Sequence, residues 1–155
     1  MKYFKLTDEY IEIGLTKLFR IECIKTFKLA NKGDKGGFIE KESNIEDGNA
    51  WVSGNAWVSG NAWVSGNARV YGDAWVSGNA RVYGDAWENS PLQIQGAKHY
   101  FNECKKGTLK IGCLEFTIEE WLKKYKAVGR KEKYTQKQIK EYGLYIKLAK
   151  KLSEL

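Results

Sequence analysis

The residues of this 155-residue chain with most scope for chemistry surround its one histidine, in the run Gly96-Ala97-Lys98-His99. A glycine lets backbone come close to a ligand, and adjacent Lys and His side chains can donate to an anionic oxygen. Arg69 and Arg81 would add cations, and Tyr71 and Tyr83 rings on which a base could stack. Together these six residues predict a pocket for an anionic, nucleotide-like small molecule, such as a cyclic nucleotide or an ADP-ribose-like signal. The competing reading of His99 is a hairpin histidine whose surroundings are satisfied by backbone.

The case for catalysis is thin. One histidine and scattered carboxylates assemble neither a Ser/His/Asp set nor a cluster of metal ligands, so no catalytic residue, metal or cofactor is expected. Cys23, Cys104 and Cys113 are an odd number at wide spacing, without a C-x-x-C pair, and read as small apolar core residues. The run Asn31 to Gly37 is rich in Gly and Lys but lacks the spacing and the Ser/Thr of a P-loop. It reads as a loop.

Charge is unevenly placed. The net charge is +7, and residues 105–155 hold 14 Lys and Arg against 6 Asp and Glu, so the excess belongs to the last third. Such a field draws nucleic acid, nucleotides or an acidic protein surface, or is simply the solvated face of Lys-rich helices. No apolar run reaches the roughly 18 residues a membrane span needs. The first residues, MKYFKLTDEYIEIG, carry charges throughout, unlike a secretory signal. A cytoplasmic protein is expected by default.

What must position these residues is a repeat. From Gly48 to Asn89 the chain reads GNAWVS three times, then GNARVY, GDAWVS, GNARVY and GDAWEN. A fixed short period predicts a solenoid. Strand alternation sends Val52, Val58, Val64, Val70, Val76 and Val82 inward, with their neighbours outward. The Gly-Asn or Gly-Asp pairs turn the chain, and the alanines Ala56 to Ala86 fill inner corners. Three sides make a coil of 18 residues, so seven hexads give about 2.3 coils. The phase extends back through Ile45 and Ile39 if one residue slips near Asp47. The rod is then on the order of 10–15 Å tall, with open sheet edges that call for caps or partner subunits.

A period of 18 also sorts the outward residues. One face stacks Trp51, Arg69 and Trp87, a second Trp57 over Trp75, and a third Trp63 over Arg81 beside Tyr83. Arg beside Trp makes cation–π ladders. The Trp57/Trp75 face is flat, uncharged and rimmed by serines, which predicts an interaction surface around a threefold axis.

The flanks divide into four segments. Residues 1–38 form an N-terminal β-strand cap with turns near Thr7-Asp8 and Gly14, and 39–91 the β-helix. Residues 92–116 form a β-hairpin, with strands at 92–95, 100–104 and 109–116, and 117–155 a helical segment. Capping boxes at Thr117/Glu120 and Thr135/Gln138 open two helices. The first buries Ile118, Trp121, Leu122 and Tyr125, carries Glu119→Lys123 and Glu120→Lys124 pairs and ends at Gly129. The second buries Ile139, Tyr142, Ile146, Ala149 and Leu152.

The Val-to-Ala spacing over Gly48–Asn89 resembles the hexapeptide-repeat family of left-handed parallel β-helices. That resemblance implies a mainly β fold and a homotrimer. It implies little catalysis, because the acyltransferases of the family carry a longer β-helix with a histidine on or beside it. The wider layout is similar to small accessory proteins of tailed phages and prophages. That similarity rests on Gly36-Gly37-Phe38-Ile39-Glu40, the GNAxV array, Ile111-Gly112-Cys113, Glu119-Glu120-Trp121 and Glu141-Tyr142-Gly143. It implies a genomic setting in which such proteins counter host defence. Three classes of function stay open: a trimer sequestering an anionic nucleotide-like ligand, a trimer blocking a host defence protein (nucleic-acid-linked ones included), and an acyltransferase.

Overall fold

The computed structural model describes residues 2–46 and 48–155, which fall into two compact units, Met1–Pro91 and Leu92–Leu155. The first is a mainly β solenoid. β1 (Phe4–Ile13) and β2 (Thr16–Cys23) form a hairpin, and β3 (Lys35–Ile39) pairs with β2 antiparallel. Then come seven two-residue strands, one per repeat: β4 (Trp51–Val52), β5 (Trp57–Val58), β6 (Trp63–Val64), β7 (Arg69–Val70), β8 (Trp75–Val76), β9 (Arg81–Val82) and β10 (Ala86–Trp87).

These strands pair in parallel at the repeat period. Trp51 faces Arg69, Trp57 faces Trp75 and Trp63 faces Arg81, each 18 residues apart. All six repeat valines are fully buried, and Ala50, Ala56, Ala62, Ala68, Ala74 and Ala80 are buried beside them. The inward column is thus dry and aliphatic, and each ladder is closed by hydrogen bonds such as Trp57 N–H to the Ala74 carbonyl (3.1 Å) and Ser59 N–H to that of Val76 (3.0 Å). Upstream, Ile39 pairs with Val58 and Ile45 with Val64, each 19 residues apart. The extra residue therefore falls between Ile45 and Val52; Asp47, where the slip is expected, lies outside the described residues.

The last repeat departs from the pattern. β10 pairs with β7 so that Trp87, not Glu88, lies opposite Val70. The positive-φ position, held by Gly54, Gly60, Gly66, Gly72 and Gly78 in earlier turns, passes to Asp85 (φ 65°). Trp87 is consequently buried, its indole N–H donating to the Gly84 carbonyl (2.9 Å), while Ala86 is exposed. Of the expected outward stack, Trp51 and Arg69 keep their register, but Ala86 takes the place of Trp87 opposite Arg69. Trp51 is also buried, edge-on to Phe27 at 5.6 Å, because the chain before the repeats covers it. Arg69 lies over Tyr71 instead, 4.8 Å from its centroid.

The N-terminal strands extend one ladder: the sheet order is β1-β2-β3-β5-β8. Thr7-Asp8 is an irregularity inside β1 rather than a turn, and the reversal is at Gly14. The run expected as a loop enters β3 at Lys35, because only glycine fits there. A Cβ on Gly37 would stand 2.4 Å from the Ala56 carbonyl oxygen, and one on Gly36 2.6 Å from that of Val52. Asn44 fastens the next stretch. Its side chain is fully buried, its Nδ2 donates to the Gly60 (3.2 Å) and Ala62 (2.8 Å) carbonyls, and its Oδ1 accepts from Lys41 N–H (2.9 Å).

The second unit is an antiparallel four-stranded sheet with two helices. Its strands β11 (Gln93–Gln95), β12 (Tyr100–Lys105), β13 (Thr108–Ile111) and β14 (Leu114–Thr117) pair in chain order. The single strand expected over 109–116 is broken by Gly112, which turns the chain at φ 60°. Helices α1 (Ile118–Lys131) and α2 (Gln136–Ser153) follow, each opened by its expected capping box. Phe101, Leu109, Ile111, Ile118, Trp121, Tyr142, Ile146 and Ala149 make the core, and Trp121 Nε1 donates to the Leu109 carbonyl at 2.8 Å.

Three details differ from expectation. α1 runs past Gly129, which is buried because Ile139 lies where its Cβ would be, 2.6 Å away. Leu152 is exposed rather than buried. Glu119 pairs with Lys150, and the Lys124 ammonium sits over Phe116 at 4.5 Å, so neither expected intrahelical pair forms among the described residues. No helix is long and apolar enough to cross a membrane.

Candidate functional site

The six ligand residues expected from the sequence separate into three groups. Arg69 and Tyr71 contact each other on one side of the solenoid. Arg81 lies over the Trp63 ring at 5.3 Å, and Tyr83 meets the same ring edge-on at 6.4 Å, on another. Lys98 and His99 belong to the second unit, in the loop between β11 and β12.

That loop is held from beneath by α2. Tyr142 is buried, and its hydroxyl accepts from the backbone N–H of Lys98 (3.1 Å) and His99 (2.6 Å) while donating to the His99 carbonyl (2.6 Å). Glu141 accepts from Ala97 N–H at 2.8 Å. Gly96 is where the chain passes over this hydroxyl, and a Cβ there would be 2.3 Å from Tyr142 Oη. The glycine expected to let backbone approach a ligand lets it approach a tyrosine instead. His99's backbone is therefore fixed by α2, and its imidazole is exposed.

The imidazole faces Tyr134 at 5.8 Å between ring centroids, and both line a cavity of about 350 Å³. Ile111, Leu114, Trp121, Val128 and Ile139 supply apolar wall, while Cys113, Glu132 and the tyrosines supply polar atoms at its margin. The cavity exists because three turns converge on it. Gly112-Cys113 ends β13, the stretch 130–134 leaves α1, and the 96–99 loop closes the third side. Gly112 lies against the imidazole, with a would-be Cβ 3.1 Å from the ring. After α1 the chain turns sharply at Lys133 (φ 59°), and Tyr134 follows directly into the cavity lining.

Burial, reinforced by Tyr142 and the nearby acids, raises the Tyr134 hydroxyl well above the usual tyrosine range, so it stays a hydrogen-bond donor at any physiological pH. Lys98 does not point freely outward. Its ammonium donates to the Glu132 carbonyl at 2.7 Å and sits 4.5 Å over the Tyr134 ring, so it holds the α1 terminus to the loop. Lys131 and Lys133 flank Glu132 in the chain and are exposed. The arrangement is a small, mostly apolar cavity with the paired His99 and Tyr134 rings and Glu132 in its lining, and Lys98 held against Tyr134. The sequence pointed to His99 and Lys98 but not to Tyr134, Tyr142 or Glu132, whose roles depend on how two helices meet a sheet. The Thr135 capping box is the one local signal that places Tyr134 just outside a helix.

The Trp57/Trp75 face carries the other candidate surface. The two rings lie 4.7 Å apart at 34°, and Trp75 is 52 % exposed. Phe38 precedes Trp57 in the ladder, with the Arg20 guanidinium 4.3 Å over its ring. A shallow groove of about 330 Å³ runs beside Trp57, lined by Leu18, Glu40, Ser59 and Ser77 among others. Among the described residues, no group of three or more His, Cys, Asp and Glu converges to hold a metal.

Comparison with known proteins bears on the repeats. No curated protein matches the chain. A family model described as the YdcK beta solenoid repeat matches residues 50–66, 62–78 and 74–89, successive matches stepping by two hexads. This stretch is a β-solenoid repeat.

Proposed function

We propose that the chain is a non-catalytic binding protein whose second unit takes a small planar ring, of nucleobase kind, in the His99–Tyr134 cavity. The observation that carries this reading is the cavity itself. About 350 Å³ of mostly apolar space, with the His99 and Tyr134 rings side by side in its lining, suits one flat heterocycle. Glu132 is at hand to accept a hydrogen bond from a ring N–H or an exocyclic amine. The exposed lysines on either side of it, with Lys98, supply the charge that would draw an attached phosphate. The ligand class is thus an anionic nucleotide, with cyclic nucleotides and ADP-ribose-like signals its natural members. The similarity to tailed-phage accessory proteins gives such binding a purpose, the sequestering of a host defence signal.

Calorimetry against cyclic dinucleotides, ADP-ribose derivatives and short DNA tests the reading. One class should bind to the intact chain, and His99→Ala and Tyr134→Ala should each weaken it at least about tenfold. Heat from none of them, or unchanged binding in both variants, removes the proposal.

A second reading concerns assembly. The finer architecture we propose is a left-handed hexapeptide β-helix of about 2.3 coils or slightly more, joined as a homotrimer through Trp57 and Trp75. The stacked Trp57 and Trp75 rings support it, since they form a contiguous aromatic patch with Trp75 half exposed, and such patches mark interaction surfaces. Light scattering should report a trimer, and Trp57→Asp/Trp75→Asp a monomer. An unchanged mass in that variant refutes the assignment. Blocking a host defence protein would use the same surfaces. An acyltransferase activity has less support, and absence of acetyl-CoA turnover would close it.

A further inference from the structure

α2 has two apolar faces, and only one is used by the fold. Ile139, Tyr142, Ile146 and Ala149 are buried against the sheet and α1. On the opposite side stand Leu144 (66 % exposed), Leu148 (42 %) and Leu152 (45 %), continued by Leu155. At 3.6 residues per turn the first three span about 80° of arc and about 12 Å of axis. They form a single i, i+4, i+8 ridge. Lys137, Lys140, Lys147 and Lys151 lie along and beside it, all exposed, and among the described residues none of them is drawn into an ion pair.

The shape and charge of this ridge decide what fits it. A ridge one residue wide packs into the groove between side-chain rows of another helix. A bilayer surface favours a broader apolar face sunk into the interface. A second copy of α2 would set lysine against lysine, so self-association through this face is opposed by charge. We infer that the Leu144/Leu148/Leu152 ridge is a docking surface for a partner protein that presents a helix with an apolar groove flanked by Asp or Glu. The lysines steer and orient that partner, and the leucines supply the buried contact. This surface is separate from the His99 cavity and stands without it.

The test uses the intact chain and two stapled helical peptides, one with leucines at i, i+4 and i+8 flanked by Glu, the other identical but with Lys in place of Glu. Fluorescence anisotropy should show the Glu peptide binding, the Lys peptide not, and a fall in affinity as salt rises. Leu148→Asp, Leu144→Asp and the Lys147→Glu/Lys151→Glu pair should each weaken binding at least about tenfold. His99→Ala should leave it unchanged. All these positions are exposed, so the variants should keep the parent's cooperative melt. The inference is overturned if the Glu peptide fails to bind at about 1 mM, binds no better than the Lys peptide, or binds Leu148→Asp and Leu144→Asp as tightly as the parent. Capture of the chain by phosphatidylserine vesicles with no peptide binding overturns it in favour of a membrane surface.

Discussion

The hydroxyl of Tyr142, on α2, is bound to both backbone polar atoms of His99, 43 residues away, at 2.6 Å each. Through this contact the helix holds the loop that forms one wall of the cavity. A buried hydroxyl that serves three backbone partners is hard to replace, because each orphaned group keeps its desolvation cost.

Tyr142→Phe should therefore destabilise the second unit by about 1–3 kcal/mol. Urea denaturation measures the loss. Hydrogen exchange should speed up at Lys98 and His99 while Leu109 stays protected, and an unchanged exchange pattern would contradict the anchoring role.

Asn44 offers a matching test in the first unit. Asn44→Ala leaves the Lys41 N–H without its partner and should cost about 1–3 kcal/mol. Asn44→Asp should be worse, since a carboxylate would face the Gly60 and Ala62 carbonyls. Melting curves of the two variants check the order.

Gly37 distinguishes packing from backbone freedom. Its added Cβ would meet the Ala56 carbonyl, whereas one on Gly33 (φ 94°) meets nothing within 4 Å. Gly37→Ala must push strands apart, and should unfold or severely weaken the first unit. Gly33→Ala should cost about 1–2 kcal/mol, the backbone term alone. Thermal melts of both would expose an error if the ranking reversed.

The cysteines should differ in reactivity. Burial pushes the Cys104 thiol up to about 11, so it stays protonated and shielded at pH 8. Cys23 is buried too, and Cys113 is exposed at the cavity. One thiol should react quickly with Ellman's reagent in the native protein and three in denaturant. A ligand seated in the cavity should slow the fast one.

Acid should loosen the N-terminal sheet. Hydrogen bonds from Arg20 (2.8 Å) and Lys35 (3.1 Å) hold the Glu9 carboxyl below the ordinary glutamate range. A lowered folded-state pKa contributes stability that is present above the ordinary value and lost as pH falls through the lowered one. Glu9→Gln should thus weaken the protein at neutral pH and flatten its acid titration. The exposed carboxylate makes the effect small, so NMR titration of Glu9 is the sensitive measurement.

The sequence alone determined what depends on neighbours along the chain. The repeat valines and the alanines as far as Ala80, the 18-residue stacking of Trp57 on Trp75 and the two capping boxes follow from period and local hydrogen-bonding rules, and all are present. Tertiary structure decided what those rules leave open. Trp87 entered the core in place of Glu88 because the last turn moved to Asp85, where the cost of a positive φ at a non-glycine residue is offset by burying an indole. Leu152 belongs to an apolar row as Ala149 does, and only the packing of α2 on its sheet selected which row is covered. The cavity was the least legible feature, since its walls come from strand, loop and two helices far apart in sequence. Period describes one element at a time, whereas a cavity is fixed by the volumes several elements leave between them.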